Sequence, residues 1–246
     1  MKVIINGYTG RMGKMLEEAI AKNDSFEVAA EAAFDSDEKT PHTYRKLDDI
    51  EEEADVLIDF SNHVTTSDVV AFAKKKKMPA VICTTGQTEE ELKMIEDLAQ
   101  DVPVFRSGNM SIGIAVLSDL VKTAVKMFPD ADVEIVEKHH NQKLDVPSGT
   151  ALMLAEAVKE ERPDAVFNIG RHENGKRKKN EIGIHSLRMG NEVGTHEVYI
   201  NTGNECLTLT HEAESRAVFA DGALKAAEFL VRQKPGLYSM KELMAE

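Results

Sequence analysis

The segment that most constrains the fold is the start of the chain, where an apolar strand runs directly into a glycine-rich turn. Residues 2–6 read K-V-I-I-N, typical of a buried parallel strand, and G-Y-T-G-R-M-G follows at 7–13. Apolar residues then recur at helical spacing up to Ile20, and another apolar segment occupies 26–30. The order of strand, glycine turn, helix and strand predicts a βαβ unit of the dinucleotide-binding kind.

The spacing of the three glycines leaves two interpretations of this turn. Glycines permit a tight turn and let the backbone approach a pyrophosphate, which then lies at the helix N-terminus. The spacing is G-x-x-G-x-x-G, not the strict G-x-G-x-x-G, so a purely structural turn is the alternative. The glycine spacing alone does not distinguish a dinucleotide-binding turn from a purely structural one.

The remaining strand patterns divide the chain into two parts. Apolar strands predicted at 54–60, 79–83 and 102–105 alternate with helices, which indicates a parallel doubly wound sheet. From about Val133 the strands alternate polar and apolar residues and end at glycines, which indicates a mixed or antiparallel sheet with one face covered. We predict an α/β protein with an N-terminal Rossmann-like domain and a second α+β domain with an open mixed sheet. The first domain comprises 1–110 and 217–246 and the second 111–216, with second-domain strands at 166–169, 181–188, 195–200 and 205–211 and a returning helix at 218–231.

Candidate chemistry is concentrated in 137–151, which reads E-K-H-H-N-Q-K-L-D-V-P-S-G-T-A. His139 and His140 follow the predicted strand 132–136, and Lys143 adds a cation three residues further on. Histidine exchanges protons near neutral pH, and the turn at 147–150 would present backbone N–H groups to an anion where a helix begins. Two strand-end histidines and an ordinary helix cap are the alternative for these residues taken separately. Taken together they favour acid–base chemistry on an acidic substrate.

This stretch resembles the signature of the dihydrodipicolinate reductase family, with Val146 where the family usually has alanine. The glycine turn resembles the family's G-x-x-G-R-M-G as well. The resemblance implies reduction of 4-hydroxy-tetrahydrodipicolinate in diaminopimelate and lysine biosynthesis, by hydride transfer from NADH or NADPH. It implies that His139 and Lys143 are catalytic, that Lys143 acts either as a second proton donor or as a plain cation, and that His140, Gly149 and Thr150 bind the substrate, a small cyclic dicarboxylate.

The resemblance also implies where the cofactor binds. Further segments like the family's follow three more strands, although Cys83 replaces the first glycine of the family's G-T-T-G and His63 replaces a proline. The expected cofactor-binding residues are Gly7, Tyr8, Thr9, Gly10, Arg11, Met12, Asp35, Cys83, Thr84, Thr85, Ser107, Gly108, Asn109 and Met110. Arg216, in the closing motif, is either an anion contact or part of an ion pair.

The choice between NADH and NADPH depends on the end of the second strand. The family's acidic position falls on Ala33, and Glu31 and Asp35 are the nearest acidic residues. Asp35, Asp37 and Glu38 would repel a 2′-phosphate, whereas Arg45 and Lys46 could receive one. We expect NADH to be preferred and NADPH to be accepted.

Composition limits the partners. The formal net charge of −13 argues against nucleic acid and anionic membranes as general partners. No apolar run approaches the roughly 20 residues of a membrane span, and the N-terminus does not resemble a signal peptide, so a cytoplasmic protein is expected. Cys83 and Cys206 lack metal-ligand spacing, and no metal is expected. The open sheet predicts a homo-oligomer, and the resemblance implies a homotetramer.

Two other functions remain open at this point. One is a different two-domain reductase, such as an aspartate dehydrogenase, which shares the glycine turn but has no need of Lys143 together with the turn at 147–150. The other is a non-catalytic dinucleotide sensor, which has no use for adjacent histidines with a lysine in register.

Overall fold

The computed structural model of the protein describes residues 1–37 and 40–245. They form two compact domains, Met1–Ile112 with Arg216–Glu246, and Gly113–Ser215. Strands and helices are numbered below in the order in which they occur along the chain.

The first domain is built on a seven-stranded parallel sheet with the order β12-β6-β5-β4-β1-β2-β3. Because β1 lies between β2 and β4, the strand order reverses there, and this is where open α/β sheets bind ligands at the carboxyl ends of their strands. Its elements are β1 (Lys2–Asn6), α1 (Arg11–Ala21), β2 (Glu27–Ala32), β3 (Thr43–Tyr44), β4 (Val56–Asp59), α2 (Thr66–Lys76), β5 (Ala80–Ile82), α3 (Glu89–Leu98), β6 (Pro103–Arg106), α6 (Ala217–Leu230), β12 (Gly236–Tyr238) and α7 (Met240–Met244).

Burial explains the composition of the central strands. Val3, Ile4 and Ile5 of β1 are fully buried on both faces of the sheet, as expected for a parallel sheet covered by helices on each side. Helix α3 begins at a capping box in which Thr88 and Glu91 satisfy each other's backbone N–H groups.

The second domain has a five-stranded mixed sheet with the order β11-β10-β7-β9-β8. β10 is antiparallel to β7 and β11, whereas β7, β9 and β8 are parallel to one another. Its two helices share a core with Val133, Ile135 and Ile184, so both cover the same face of the sheet. Its elements are α4 (Ile112–Met127), β7 (Asp132–His139), α5 (Gly149–Glu161), β8 (Val166–Ile169), β9 (Glu181–Arg188), β10 (Thr195–Asn201) and β11 (Cys206–Glu212).

The predicted fold class is confirmed in both sheets. One local prediction was wrong: β7 does not end before the histidines but includes His139, because its ladder with β9 continues to Arg188. Among the helices that the structure describes, none has the length and apolar character that a membrane span requires.

Candidate active site

The glycine turn of the first domain has the close packing that its sequence implied. Gly7 has a φ of +89°, and a Cβ there would lie 2.8 Å from the backbone of Phe60 and Ser61. A Cβ on Gly13 would overlap the backbone of Gly7 and Tyr8, so α1 begins directly against the turn. These glycines are required by sterics, and they leave the helix N-terminus open to an anion.

A buried carboxylate ties three strand ends together beside this turn. Asp59, at the end of β4, is 2% exposed. Its Oδ1 accepts hydrogen bonds from Nδ2 of Asn6 at 2.9 Å and Oγ of Ser61 at 2.5 Å, and its Oδ2 accepts one from Oγ1 of Thr84 at 2.7 Å. Burial raises the pKa of Asp59, and these hydrogen bonds lower it by less. Asp59 therefore fixes the carboxyl ends of β1 and β4 and the residues just after β5.

A cavity of about 770 Å³ opens at the turn. Its lining includes Gly7, Thr9 and Gly10 of the turn together with Asp35 and Arg45. Oγ1 of Thr9 donates to Oδ1 of Asp35 at 2.6 Å, and Nε of Arg45 donates to the carbonyl of Ser36 at 2.9 Å. Lys46 and the 81%-exposed Phe34 also line the cavity, so one acidic and two basic side chains contribute to its lining.

The other expected cofactor residues lie outside this cavity lining. Arg11 is exposed, Met12 is half-buried, and Tyr8 shares a hydrogen bond of 2.8 Å with Ser36 through its hydroxyl. Cys83, Thr84 and Met110 are buried, which leaves mainly their backbone for a ligand. Burial also raises the pKa of the Cys83 thiol.

The two segments expected near the nicotinamide are neighbours. Thr85 and Gly108 are exposed, and a Cβ on Gly108 would lie 3.6 Å from Cγ2 of Thr85. Oγ of Ser107 donates to the carbonyl of Asn109 at 2.6 Å, which fixes the turn. The steric cradle at Gly7 and Gly13, the cavity and these adjoining loops fit a dinucleotide.

In the second domain, strand register assembles the acid–base residues. Glu137 and His139 follow Val133 and Ile135 on the helix-covered face of β7, since every second residue of a strand points the same way. Arg188 on β9 is the register partner of His139, and His196 on β10 is the partner of Glu137. Four polar side chains therefore meet at the end of an otherwise apolar face.

The carboxylate of Glu137 is completely buried and holds this group together. Its Oε2 lies 2.5 Å from Nδ1 of His139, and both oxygens accept hydrogen bonds of 2.8 Å from Arg188. The backbone N–H of Ser148 donates to Oε1 at 3.1 Å. Burial raises the pKa of Glu137, but the hydrogen bonds from His139 and Arg188 outweigh it and leave the pKa well below its usual range.

His196 packs against His139 on the buried side. The two rings meet edge to face with centroids 5.2 Å apart, and Nε2 of His196 lies 3.1 Å from Oγ of Ser148. Burial, and then the neighbouring His139, lowers the pKa of His196 to about 3. His196 is therefore neutral at physiological pH.

The loop after β7 carries the expected cation and leads to the expected anion site. Nζ of Lys143 lies 2.9 Å from Oδ1 of Asp145. Ser148 is the N-cap of α5, its Oγ accepting from the N–H of Ala151, so Gly149 and Thr150 form the first turn. Gly149 is exposed, and no described atom lies within 4 Å of where its Cβ would be. His140 is half-buried, with its backbone N–H donating to the carbonyl of Glu192 at 2.8 Å.

Sequence reasoning missed three members of this group: Glu137 as a contact of His139, Arg188 and His196. The signal for Glu137 was present, because the period of two that buries Val133 and Ile135 also places it inward. Arg188 and His196 had no local signal, since their positions follow from register with β7.

Comparison with known proteins agrees with this arrangement. The family model for the N-terminus of dihydrodipicolinate reductase matches residues 1–110, and that for the C-terminus matches residues 113–244. A protein named 4-hydroxy-tetrahydrodipicolinate reductase from Caldanaerobacter subterraneus is 48% identical over 99% of this chain and 98% of its own length. One of the same name from Clostridium novyi is 41% identical with the same coverage.

Solved structures show the same fold. A dipicolinate-bound dihydrodipicolinate reductase from Paenisporosarcina sp. TG-14 superposes with a TM-score of 0.81 at 24% identity, covering 97% of each chain. An amine dehydrogenase from Mycobacterium smegmatis superposes with a TM-score of 0.69 at 10% identity, covering 98% of this chain and 95% of its own. The fold is thus shared with other dehydrogenases, whereas the two family models and the full-length relatives are specific. The chain belongs to the dihydrodipicolinate reductase family.

Proposed function

We propose that the protein is a 4-hydroxy-tetrahydrodipicolinate reductase that uses NADH or NADPH. The observation that carries the proposal is the assembly of the signature residues in the second domain. His139, Lys143 and the N-terminus of α5 lie around one buried carboxylate, at the end of β7. The names of the full-length relatives support the same reaction.

The proposed mechanism divides the work between the two domains. The first domain would hold the cofactor, with Gly7, Thr9 and Gly10 at the pyrophosphate and the loops containing Thr85 and Asn109 near the nicotinamide. When bound, the nicotinamide supplies a hydride to the conjugated double bond left after the substrate has lost water. The chain's own residues bind the ring, orient it and supply one proton.

In the second domain, His139 is the proposed acid. Once the hydride has added to the substrate, the resulting carbanion needs one proton, and an imidazolium can give it from Nε2 because Nδ1 is directed to Glu137. Lys143 and the α5 N-terminus at Gly149 and Thr150 would bind carboxylates of the substrate. The ion pair of Lys143 with Asp145 favours its role as a cation, and a second proton transfer from it stays open.

The open face of the second sheet supports association with another copy of the chain, and we propose a homotetramer. Both helices of the domain pack on one face, and the opposite face presents Leu187 and Val166, which are 43% and 58% exposed. A second copy covering this face would bury them. Light scattering in solution tests the assembly. The cytoplasmic location stays a prediction from the sequence.

The reaction can be tested directly. Purified protein is mixed with freshly prepared dihydrodipicolinate and either NADH or NADPH, and oxidation of the nicotinamide is followed. We expect turnover in the native protein and loss of about 10²-fold or more in kcat for His139→Gln and for Lys143→Ala, with dinucleotide binding retained. His185→Gln and Lys179→Ala are matched controls in the same domain.

A native protein that binds dinucleotide but does not oxidise it with this substrate would contradict the proposal. Turnover with oxaloacetate or aspartate would then support an amino-acid dehydrogenase. Binding without turnover on any of these substrates would support a sensor.

A further inference from the structure

Glu137 carries a buried, hydrogen-bonded carboxylate in the second domain. The proposed reaction gives this carboxylate no role so far. The Glu137 side chain is 0% exposed, and its carboxylate accepts hydrogen bonds from His139, Arg188, Ser186 and the backbone N–H of Ser148. Oε2 is shared by His139 and Arg188, and Oε1 by Arg188 and the Ser148 backbone. An ionised carboxylate can only accept hydrogen bonds, so each atom that contacts it must carry a hydrogen. The contacts therefore restrict the orientation and the protonation of the partner side chains.

The first consequence concerns the tautomer of His139. An ionised carboxylate cannot donate, so Nδ1 of His139 must carry hydrogen, and Nε2 is the nitrogen that exchanges a proton. Gly194 lies at that edge: a Cβ there would be 3.0 Å from Nε2 and 3.4 Å from Cδ2. The missing side chain at residue 194 keeps the exchanging edge of the ring clear.

The second consequence concerns the loop that carries Lys143. The guanidinium of Arg188 donates two hydrogen bonds to Glu137, and its Nη2 also donates to the carbonyl of Asp145 at 2.7 Å. The side chain of Asp145 in turn lies 2.9 Å from Nζ of Lys143. One carboxylate is therefore connected to both proposed catalytic side chains, directly to His139 and through Arg188 to the lysine loop.

We propose that Glu137 is a positioning residue of the reductase, which gives Nδ1 of His139 an anionic acceptor, holds His139 with Nε2 toward the substrate, and fixes the Lys143 loop through Arg188. This inference rests on the proposed function and deepens it. Other titratable or charged groups lie around Glu137, His139 and His196: His211 on β11, Arg188 on β9, and Lys143 and Asp145 in the loop.

The chain contains a close control for a substitution at Glu137. Glu134 lies three residues earlier on β7 and also contacts a histidine and an arginine, His185 at 2.8 Å and Arg177 at 3.0 Å. Its side chain points to the other face of the sheet, away from His139. Glu134→Gln therefore removes a comparable charge from the same strand without touching the proposed site.

The experiment compares the native protein, Glu137→Gln, Glu137→Asp and Glu134→Gln in dihydrodipicolinate reduction across the pH range. We expect Glu137→Gln to lower kcat by about 10²-fold while the dissociation constant for NADH stays unchanged. Its pH–rate profile should also shift, with activity lost at lower pH than in the native protein, because the imidazolium has lost its counter-charge. Glu137→Asp should recover part of kcat and the native profile.

If Glu137→Gln does not fold, Arg188→Gln provides a second test of the proposal. It leaves the Glu137–His139 contact in place, so the pH–rate profile should not move to lower pH, while KM for the substrate rises as the Lys143 loop loosens. Thermal unfolding and NADH binding establish that each variant is folded.

The outcomes separate this inference from the proposed function. If the native protein does not reduce dihydrodipicolinate, the proposed function fails. If the native protein is active and folded Glu137→Gln keeps its kcat and pH profile, or behaves as Glu134→Gln does, the positioning role is wrong. If Glu137→Gln does not fold, a shift to lower pH in Arg188→Gln would equally overturn it.

Discussion

Oγ of Ser148 lies 3.1 Å from Nε2 of His196, and this contact places a neutral histidine under the first turn of α5. His196 is 4% exposed, and its Nδ1 is buried without a hydrogen-bond partner among the described residues. Burial first, and His139 second, lowers its pKa to about 3. Protonating this ring would place a charge in the domain core, where the cost of burial outweighs the attraction of Glu137.

This lowered pKa predicts a pH-dependent stability. The folded pKa is below the ordinary value of 6.5, so between these values the unfolded chain binds a proton that the folded chain excludes. The stabilisation is present above that range and is lost as pH falls through it. For this residue alone, the free energy of unfolding should fall by about 2 kcal/mol between pH 7 and pH 5.

Denaturant unfolding at the two pH values provides the measurement. His196→Gln should lose much less stability than the native protein over this interval, and His185→Gln, on the other face of the sheet, serves as the control. Glu137 contributes little to the pH dependence between pH 7 and pH 5, because its pKa is lowered in the folded protein. The stabilisation from Glu137 is lost only as pH falls below the ordinary glutamate pKa of 4.5. An unchanged pH dependence in His196→Gln would contradict the assignment.

A second prediction concerns Asp59, which links Asn6, Ser61 and Thr84 at the sheet's carboxyl edge. Asp59→Asn replaces an acceptor by an NH₂ group that faces donors. The cost should be about 2 kcal/mol of stability, together with weaker dinucleotide binding as the loops after β4 and β5 loosen. Thermal unfolding and NADH titration measure both effects. Asp24→Asn, an exposed change in the same domain, should alter neither; equal effects in the two variants would reject this role.

The sequence predicted those parts of the fold and of the candidate site whose determining residues lie close together along the chain. The glycine turn at 7–13 predicted its βαβ unit, because the steric demand at Gly7 and Gly13 is expressed within the same few residues. The stretch 137–151 likewise predicted the helix start at Ser148, whereas the strand before it runs three residues further than predicted, to His139. Family membership followed from these same local motifs.

The parts that were missed depend on pairing between distant segments. β3 has two residues and β12 has three, too short for a periodic signal, and each is fixed by its neighbour in the sheet. Arg188 and His196 are brought to Glu137 by the register of β9 and β10. A single sequence does not specify that register, so these contacts required the structure.

A third prediction tests the glycine turn. Gly13→Ala places a Cβ against the backbone of Gly7 and Tyr8, so α1 has to move away from the turn. The expected cost is about 1–3 kcal/mol of stability. Displacement of the helix N-terminus should also weaken NADH binding by about tenfold, or ~1.4 kcal/mol.

Calorimetric titration with NADH measures that loss. Gly149→Ala is the matched control, because its Cβ would meet no described atom within 4 Å, and it should leave the affinity for NADH unchanged. If Gly13→Ala binds NADH as the native protein does, the close packing at this turn is not needed for the cofactor.

The last prediction concerns the choice between NADH and NADPH, which the opposing charges in the cavity lining should decide. Asp35 is held by Thr9, and Arg45 is held by the carbonyl of Ser36. A 2′-phosphate near both groups is repelled by the first and attracted by the second. An interaction of about 1 kcal/mol in each case corresponds to about a fivefold change in preference.

Asp35→Asn should therefore raise the ratio of kcat/KM for NADPH to that for NADH, and Arg45→Gln should lower it. Both effects should shrink as salt is added, because exposed charges are screened. Asp24→Asn, an exposed change outside the cavity, should leave the ratio unaltered. If neither Asp35→Asn nor Arg45→Gln changes the ratio, the 2′ position of the ribose does not lie near these two side chains, and Asp35 serves to hold Thr9 in the turn.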